Sequence, residues 1–190
     1  MGGEVAPGLL FPRGRTLAAM MRRMSFPLED DTIAVEIGEL LMARGEKAAV
    51  SETTAGGLIS ARMLSVPGAS RWFESGLVPY SSPTKWEVLG LDREIAREHG
   101  GVSWQWVSAT ADAMRKATGA AWAVAESGIA GPQGSRRSPK PVGSVAIGVS
   151  GPNGTTAEEM VLPGSRAQVM AAISEKALEA LRDALKAAAK

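Results

Sequence analysis

Apolar positions along the chain switch between two spacings. Ile33, Ile37, Leu40 and Leu41 recur at helical intervals and predict a helix over residues 31–44. Asp30 or Asp31 can cap its start, and Gly45 suits a left-handed stop. The run Ala48-Ala49-Val50 is continuous rather than periodic, the pattern of a buried strand. A helix is predicted from Leu58 to the break at Val66-Pro67-Gly68. Trp72, Phe73, Leu77 and Val78 then predict a second strand over 71–80. Ser81 or Ser82, with Pro83 near the first position, opens a helix that ends at Gly90. A short helix over 92–98 precedes a longer one capped by Ser103 and stopped by Gly119. Strands are predicted over 122–126, 141–150 and 155–162, with a polar, glycine-rich loop over 127–140. The turn Gly151-Pro152-Asn153-Gly154 makes the last two an antiparallel hairpin. Ser165 caps a closing helix with Val169, Ile173, Leu178, Leu181 and Leu185 facing inward.

Helices alternating with the early strands predict an α/β protein, a three-layer α/β/α sandwich. The late hairpin makes its sheet mixed, though mostly parallel. Residues 28–190 are assigned to this domain. Residues 1–27 carry Arg13, Arg15, Arg22 and Arg23 against Glu4 and read as a flexible N-terminal extension. A transit peptide is the other reading of that segment. Open sheets of this kind bind ligands beyond the carboxyl ends of their strands, at the switch point. Three polar clusters fall at predicted strand ends: Thr53 to Gly57, Tyr80 to Lys85 and Ser127 to Pro132.

Composition narrows the chemistry. The 190 residues are 45% apolar, enough for one sizeable core. A formal net charge of +1 offers no electrostatic footprint for nucleic acid. The chain has no cysteine, which excludes disulfides, thiolate nucleophiles and thiolate metal sites. His99 is the sole histidine, so neither a His-rich metal cluster nor a Ser-His-Asp triad is expected. It reads as a cation at a helix end. No run of about 18 apolar residues predicts a membrane span, and a cytoplasmic protein without metal or organic cofactor is expected. A homo-oligomer is the base-rate expectation.

A hydroxyl nucleophile then needs a base other than histidine or thiolate. Lys85 lies in the first turn of its predicted helix, where the dipole disfavours a cation by roughly 0.3–1 kcal/mol. Burial against Trp72, Phe73 or Trp86 must supply the rest before the amine can accept a hydroxyl proton. Tyr80 can orient the amine or relay the proton. Gly56 and Gly57, between a strand and a helix, offer backbone N–H groups to an oxyanion or serve only the tight turn. The other residues also have ordinary readings. Lys85 fits a solvated surface lysine, Tyr80 a core-edge aromatic, Thr53 a strand-end residue, Ser127 a turn residue and Glu52 a buried hydrogen-bond partner.

Taken together, the motifs resemble the CinA C-terminal domain family. That family carries A-E-S-x-T-G-G, V-P-G-(A/S)-S, G-x-V-x-Y-S-N-x-x-K, L-L-G-V, H-G-x-V-S, G-I-A-G-P and K-P-V-G-(T/S)-V in order. This chain has Val66-Pro67-Gly68-Ala69-Ser70, Gly76 to Lys85 around Tyr80, and Val88-Leu89-Gly90-Leu91. It continues with His99-Gly100-Gly101-Val102-Ser103, Gly128-Ile129-Ala130-Gly131-Pro132 and Lys140-Pro141-Val142-Gly143-Ser144-Val145. The resemblance spans residues 31–188. It implies an amidase that deamidates nicotinamide mononucleotide to nicotinate mononucleotide and ammonia, with a serine nucleophile assisted by tyrosine and lysine. Tyr80 and Lys85 match those partners. Alignment on the double glycine puts Thr53 on the serine, Glu52 on the glutamate and Ala55 on the threonine. Ser127 falls just before G-I-A-G-P, where it suits a proton network or phosphate contact. Glu52, Gly56, Gly57 and Gly128 complete the expected binding residues. Arg136 and Arg137 either receive the nucleotide phosphate or form a solvated face. The alternative is a family member that binds a nucleotide or protein partner without turnover, because Thr53 and Ala55 depart from the motif.

Overall fold

The computed structural model describes residues 31–132 and 138–188. The expected extension over 1–27 lies outside them, as do Arg136 and Arg137. The elements run in order α1 (Thr32–Arg44), β1 (Ala48–Ser51), α2 (Leu58–Leu64), β2 (Phe73–Leu77), α3 (Ser82–Leu89) and α4 (Arg93–His99). They continue with α5 (Trp104–Thr118), β3 (Trp122–Gly128), β4 (Ser144–Gly151), β5 (Gly154–Val161) and α6 (Arg166–Ala187). Local chemistry sets these limits. Asp31 caps α1 by accepting from the Ala34 amide at 3.2 Å, and Gly45 ends it at φ 64°. Ser103 caps α5 by accepting from the Trp106 amide at 3.2 Å. Ser165 and Gln168 form a reciprocal capping box at the start of α6.

β2 is shorter than the predicted strand, because Ala69–Arg71 close into a 3-10 turn before it. β3 runs on to Gly128, and β4 begins at Ser144 rather than near Pro141.

One five-stranded sheet has the order β2-β1-β3-β4-β5. β1 pairs parallel to β2 and β3, whereas β3–β4 and β4–β5 are antiparallel. The sheet is therefore mixed as expected, with its parallel half on the β1 side. Alternating residues feed two cores. Ala48, Val50, Trp122, Val124, Val145 and Ile147 pack with α1, α2 and α6. Ala49, Ala123 and Ala146 pack with Trp106, Val107 and Met114 of α5 and Leu89 of α3. Small residues on this second face let α5 come close: a Cβ on Gly148 would lie 2.8 Å from the Val107 carbonyl oxygen. Two helical layers on one sheet give the three-layer sandwich.

Candidate active site

β1 has a parallel neighbour on each side, and the connections to them cover opposite faces, α2 packing in one core and α5 in the other. The carboxyl ends of β1 and β3 therefore flank the switch point where such sheets bind ligands. Glu52 leaves β1 there and Glu126 stands near the end of β3. Both carboxylates are buried, at 0% and 2% exposure.

Glu52 is saturated. It accepts from the amides of Gly57 (2.8 Å), Ile59 (3.0 Å) and Ser60 (2.8 Å), and from the Ser60 hydroxyl at 2.6 Å. A carboxylate thus sits on the N-terminus of α2, where orphan amides and the helix dipole favour an anion. This corrects one expectation. The Gly57 amide does not face a ligand, because the chain's own Glu52 has taken it.

Glu126 grips the preceding residues of the same turn. Its Oε1 accepts from the amides of Thr53 (2.5 Å) and Ala55 (2.8 Å). Its Oε2 is buried without a hydrogen-bond partner. Burial pushes this carboxyl up to about 7, against the pull of the Ala55, Thr53 and Thr54 amides, while Glu52 adds a smaller upward push. Within the turn, and among the described residues, the Gly56 amide is left without an acceptor.

Lys85 is the other unusual group. Although a lysine on a short helix is ordinarily solvated, this one is only 7% exposed. Its Nζ lies 5.8 Å from the centre of the Trp106 ring, which in turn meets Trp86 edge-on at 5.7 Å. Burial holds the amine below its usual value, opposed by the charge of Glu126. The aromatic ring against the amine is thus Trp106, not Trp72 or Phe73 from the other core.

The remaining predicted residues are placed as follows. Thr53 is half-buried at the head of the turn. Tyr80 stands 63% exposed on the connection from β2 to α3, and among the described residues its hydroxyl is not bonded to Lys85. Ser127 is buried, but its hydroxyl donates to the Gly101 carbonyl at 2.5 Å and so ties β3 to the start of α5. Gly128 serves close packing, because a Cβ there would come within 3.3 Å of the Thr54 hydroxyl and 3.1 Å of the Ser144 carbonyl. Glu126 was not singled out from the sequence. Its signal was an acidic residue closing an otherwise apolar strand, Trp122-Ala123-Val124-Ala125, immediately before the glycine loop.

Among the described residues no group of three or more His, Asp or Glu side chains converges to hold a metal. No helix there is long and apolar enough to cross a membrane. A groove between β4, β5 and the end of α6, lined by Trp122, Val149 and Ala184, lies at the opposite end of the sheet and includes none of these residues.

Comparison with known proteins bears on the family and the fold. The family model for the CinA C-terminal domain matches residues 30–185. A CinA-like protein of Anaeromyxobacter sp. (strain K) is 41% identical over 146 residues, covering 77% of this chain and 36% of its own length. One from Frankia casuarinae is 37% identical over 153 residues, covering 80% and 35%. The chain thus spans about a third of these curated relatives. Among solved structures, the competence damage-inducible protein A of Klebsiella pneumoniae superposes with a TM-score of 0.78 at 28% identity, covering 82% of this chain and 96% of that one. The competence/damage inducible protein CihA of Agrobacterium tumefaciens gives 0.75 at 30% identity, covering 84% and 98%.

Proposed function

The chain belongs to the CinA C-terminal domain family, and from that premise we propose that it hydrolyses the carboxamide of a pyridine mononucleotide, nicotinamide mononucleotide or a close relative. The observation that carries this reading is Lys85, an amine buried to 7% exposure and held below its usual value beside the switch point. A desolvated lysine is what a hydroxyl nucleophile needs as base when neither cysteine nor a suitable histidine is present.

In this reading Thr53 Oγ1 attacks the carboxamide carbon while neutral Lys85 takes the hydroxyl proton. The Gly56 amide, without an acceptor among the described residues, is the donor for the oxyanion. Lys85 then gives its proton to the departing ammonia. Water attacks the resulting ester by the same route and releases the acid. Tyr80, exposed at the rim, orients the substrate or relays a proton once the site is occupied. Ser127, engaged by Gly101, takes no part.

A second reading has a specific observation behind it. The amides of Thr53, Ala55 and Gly57 are already satisfied by the chain's own carboxylates, which suits a site that binds without turnover. One assay separates the two. Purified protein is incubated with nicotinamide mononucleotide and ammonia is measured, alongside Thr53→Ala and Thr53→Ser. Amidase action predicts release by wild type and its loss in Thr53→Ala. No release by wild type, with release by Thr53→Ser, establishes the binding reading. Undiminished release by Thr53→Ala removes Thr53 as nucleophile.

A further inference from the structure

Arg166 opens α6, and helix stability does not explain it. A cation in the first turn of a helix is opposed by the dipole, and that turn holds no acidic residue to offset it. Arg44, Arg62, Arg97 and Arg182 each rest on a carboxylate. Among the described residues Arg166 rests on none, and its hydrogen bond there runs from Nη1 to the Gly131 carbonyl at 2.8 Å. A guanidinium carries five N–H donors in a planar fork, so most of this one is uncommitted.

Three observations fix where the fork stands. β5 runs in the same sense as β1 and β3, so α6, which follows it, starts at their carboxyl ends. Gly131, which Arg166 holds, lies just past the end of β3. Met170 follows Arg166 by four positions, and residues so spaced share one helix face. The Met170 methyl lies 3.4 Å from where a Cβ on Gly56 would stand. Gly56 belongs to the turn after β1, and its amide has no acceptor among the described residues. One face of α6 thus spans the ends of β1 and β3, with Met170 against the turn and Arg166 one helical turn further out. In nicotinamide mononucleotide the pyridinium ring and the ribose separate the phosphate from the carboxamide. A receptor for that phosphate therefore stands apart from the oxyanion donor and toward solvent, and exposed Arg166 is so placed.

We propose that Arg166 binds the phosphate monoester of the pyridine mononucleotide on its free N–H groups, while its bond to Gly131 holds the fork in place. Arginine suits this role because its planar fork meets two phosphate oxygens at once. The inference rests on the mononucleotide reading above and deepens it. The phosphate, and not the carboxamide alone, becomes a condition of tight binding, so the nucleoside without its phosphate is a poor ligand.

The test compares ligands with and without the phosphate. Nicotinate mononucleotide, which has no amide to cleave, and nicotinate riboside are titrated by calorimetry into wild type, Arg166→Met and Arg166→Lys. Wild type should bind the mononucleotide at least about tenfold more tightly than the riboside, the worth of hydrogen bonds to a charged group. Arg166→Met should erase that preference and leave riboside binding unchanged. Arg166→Lys, a point charge without the fork, should restore only part of it. Equal weakening of both ligands by Arg166→Met would mean that the residue only holds the loop at Gly131, and would overturn the proposal. A phosphate preference that survives in Arg166→Met, or is missing from wild type, overturns it as well. If Arg166→Met does not fold, the preference measured in Arg166→Lys decides. If the preference depends on Arg166 but no ammonia is released from nicotinamide mononucleotide, the phosphate contact stands and the amidase reading falls. If ammonia is released from nicotinamide mononucleotide and nicotinamide riboside with equal kcat/KM, the amidase reading stands and the phosphate contact falls.

Discussion

Glu126→Gln has a consequence for folding that can be worked out from the carboxyl's surroundings. The substitution is nearly isosteric, and an amide oxygen can keep accepting from Thr53 and Ala55. What disappears is a group that titrates near 4.5 in the unfolded chain and at about 7 in the folded one. Between those values the unfolded chain has released its proton while the folded protein still holds it. Folding then takes up a proton, so stability is greatest below about 4.5 and is lost as pH rises through about 7. The full loss is about 3 kcal/mol, at roughly 1.4 kcal/mol for each pH unit between the two values. Other carboxyls act in the opposite sense and elsewhere. Burial raises Asp31, but the Arg62 hydrogen bond and the Ala34 amide outweigh it and hold it low. Burial likewise opposes the Ser150 and Thr155 hydroxyls at Asp112, which also ends low. Both lose their contribution only as pH falls through the acid range. Urea denaturation of wild type and Glu126→Gln at several pH values between about 4.5 and 8 isolates the effect. The stability of the variant relative to wild type should rise by about 3 kcal/mol across that range. Parallel curves would refute the reasoning and mean that Glu126 is already ionised at low pH in the folded protein.

Lys85→Met should reduce ammonia release by at least about a hundredfold, the lower range for loss of a general base. It should also raise the melting temperature, because it removes a desolvated amine and keeps the contact with Trp106. Equal activity in the variant would show that another group is the base. Glu52→Ala should lower the unfolding free energy by at least about 3 kcal/mol, since three amides at the start of α2 lose their acceptor; chemical denaturation measures it, and Glu52→Gln should recover part of the loss. Gly148→Ala should destabilise by about 1–3 kcal/mol by driving a methyl into the backbone of α5. A neutral result in thermal unfolding would mean that α5 can move away from the sheet at little cost.

Most of the fold was legible because its punctuation is local. Gly45, Gly90 and Gly119 each take a left-handed conformation at a helix end, and Asp31, Ser103 and Ser165 each cap through their own side chains. Strand lengths were less legible. Where β4 begins depends on what pairs with it, and Ser144 joins β5 through Val161, far along the chain. At the site, Lys85 and the glycine turn were visible as residues. Their partners were not, because burial of Lys85 comes from Trp106 on another helix and the turn is gripped by Glu126 across 73 and 71 residues of chain. Tyr80 illustrates the reverse. Its motif position pairs it with Lys85, yet its ring faces solvent, because the connection from β2 to α3 keeps it outside both cores.

Alternation along β3 welds packing to chemistry. Trp122, Val124 and Glu126 share one face of that strand, while Ala123 and Ser127 share the other. Deleting a single residue between 122 and 125 would rotate every later side chain by half a turn. The acid would point toward α5, and a serine would occupy the spot beneath the turn. Changes in chain length at this strand therefore cannot be absorbed by small repacking.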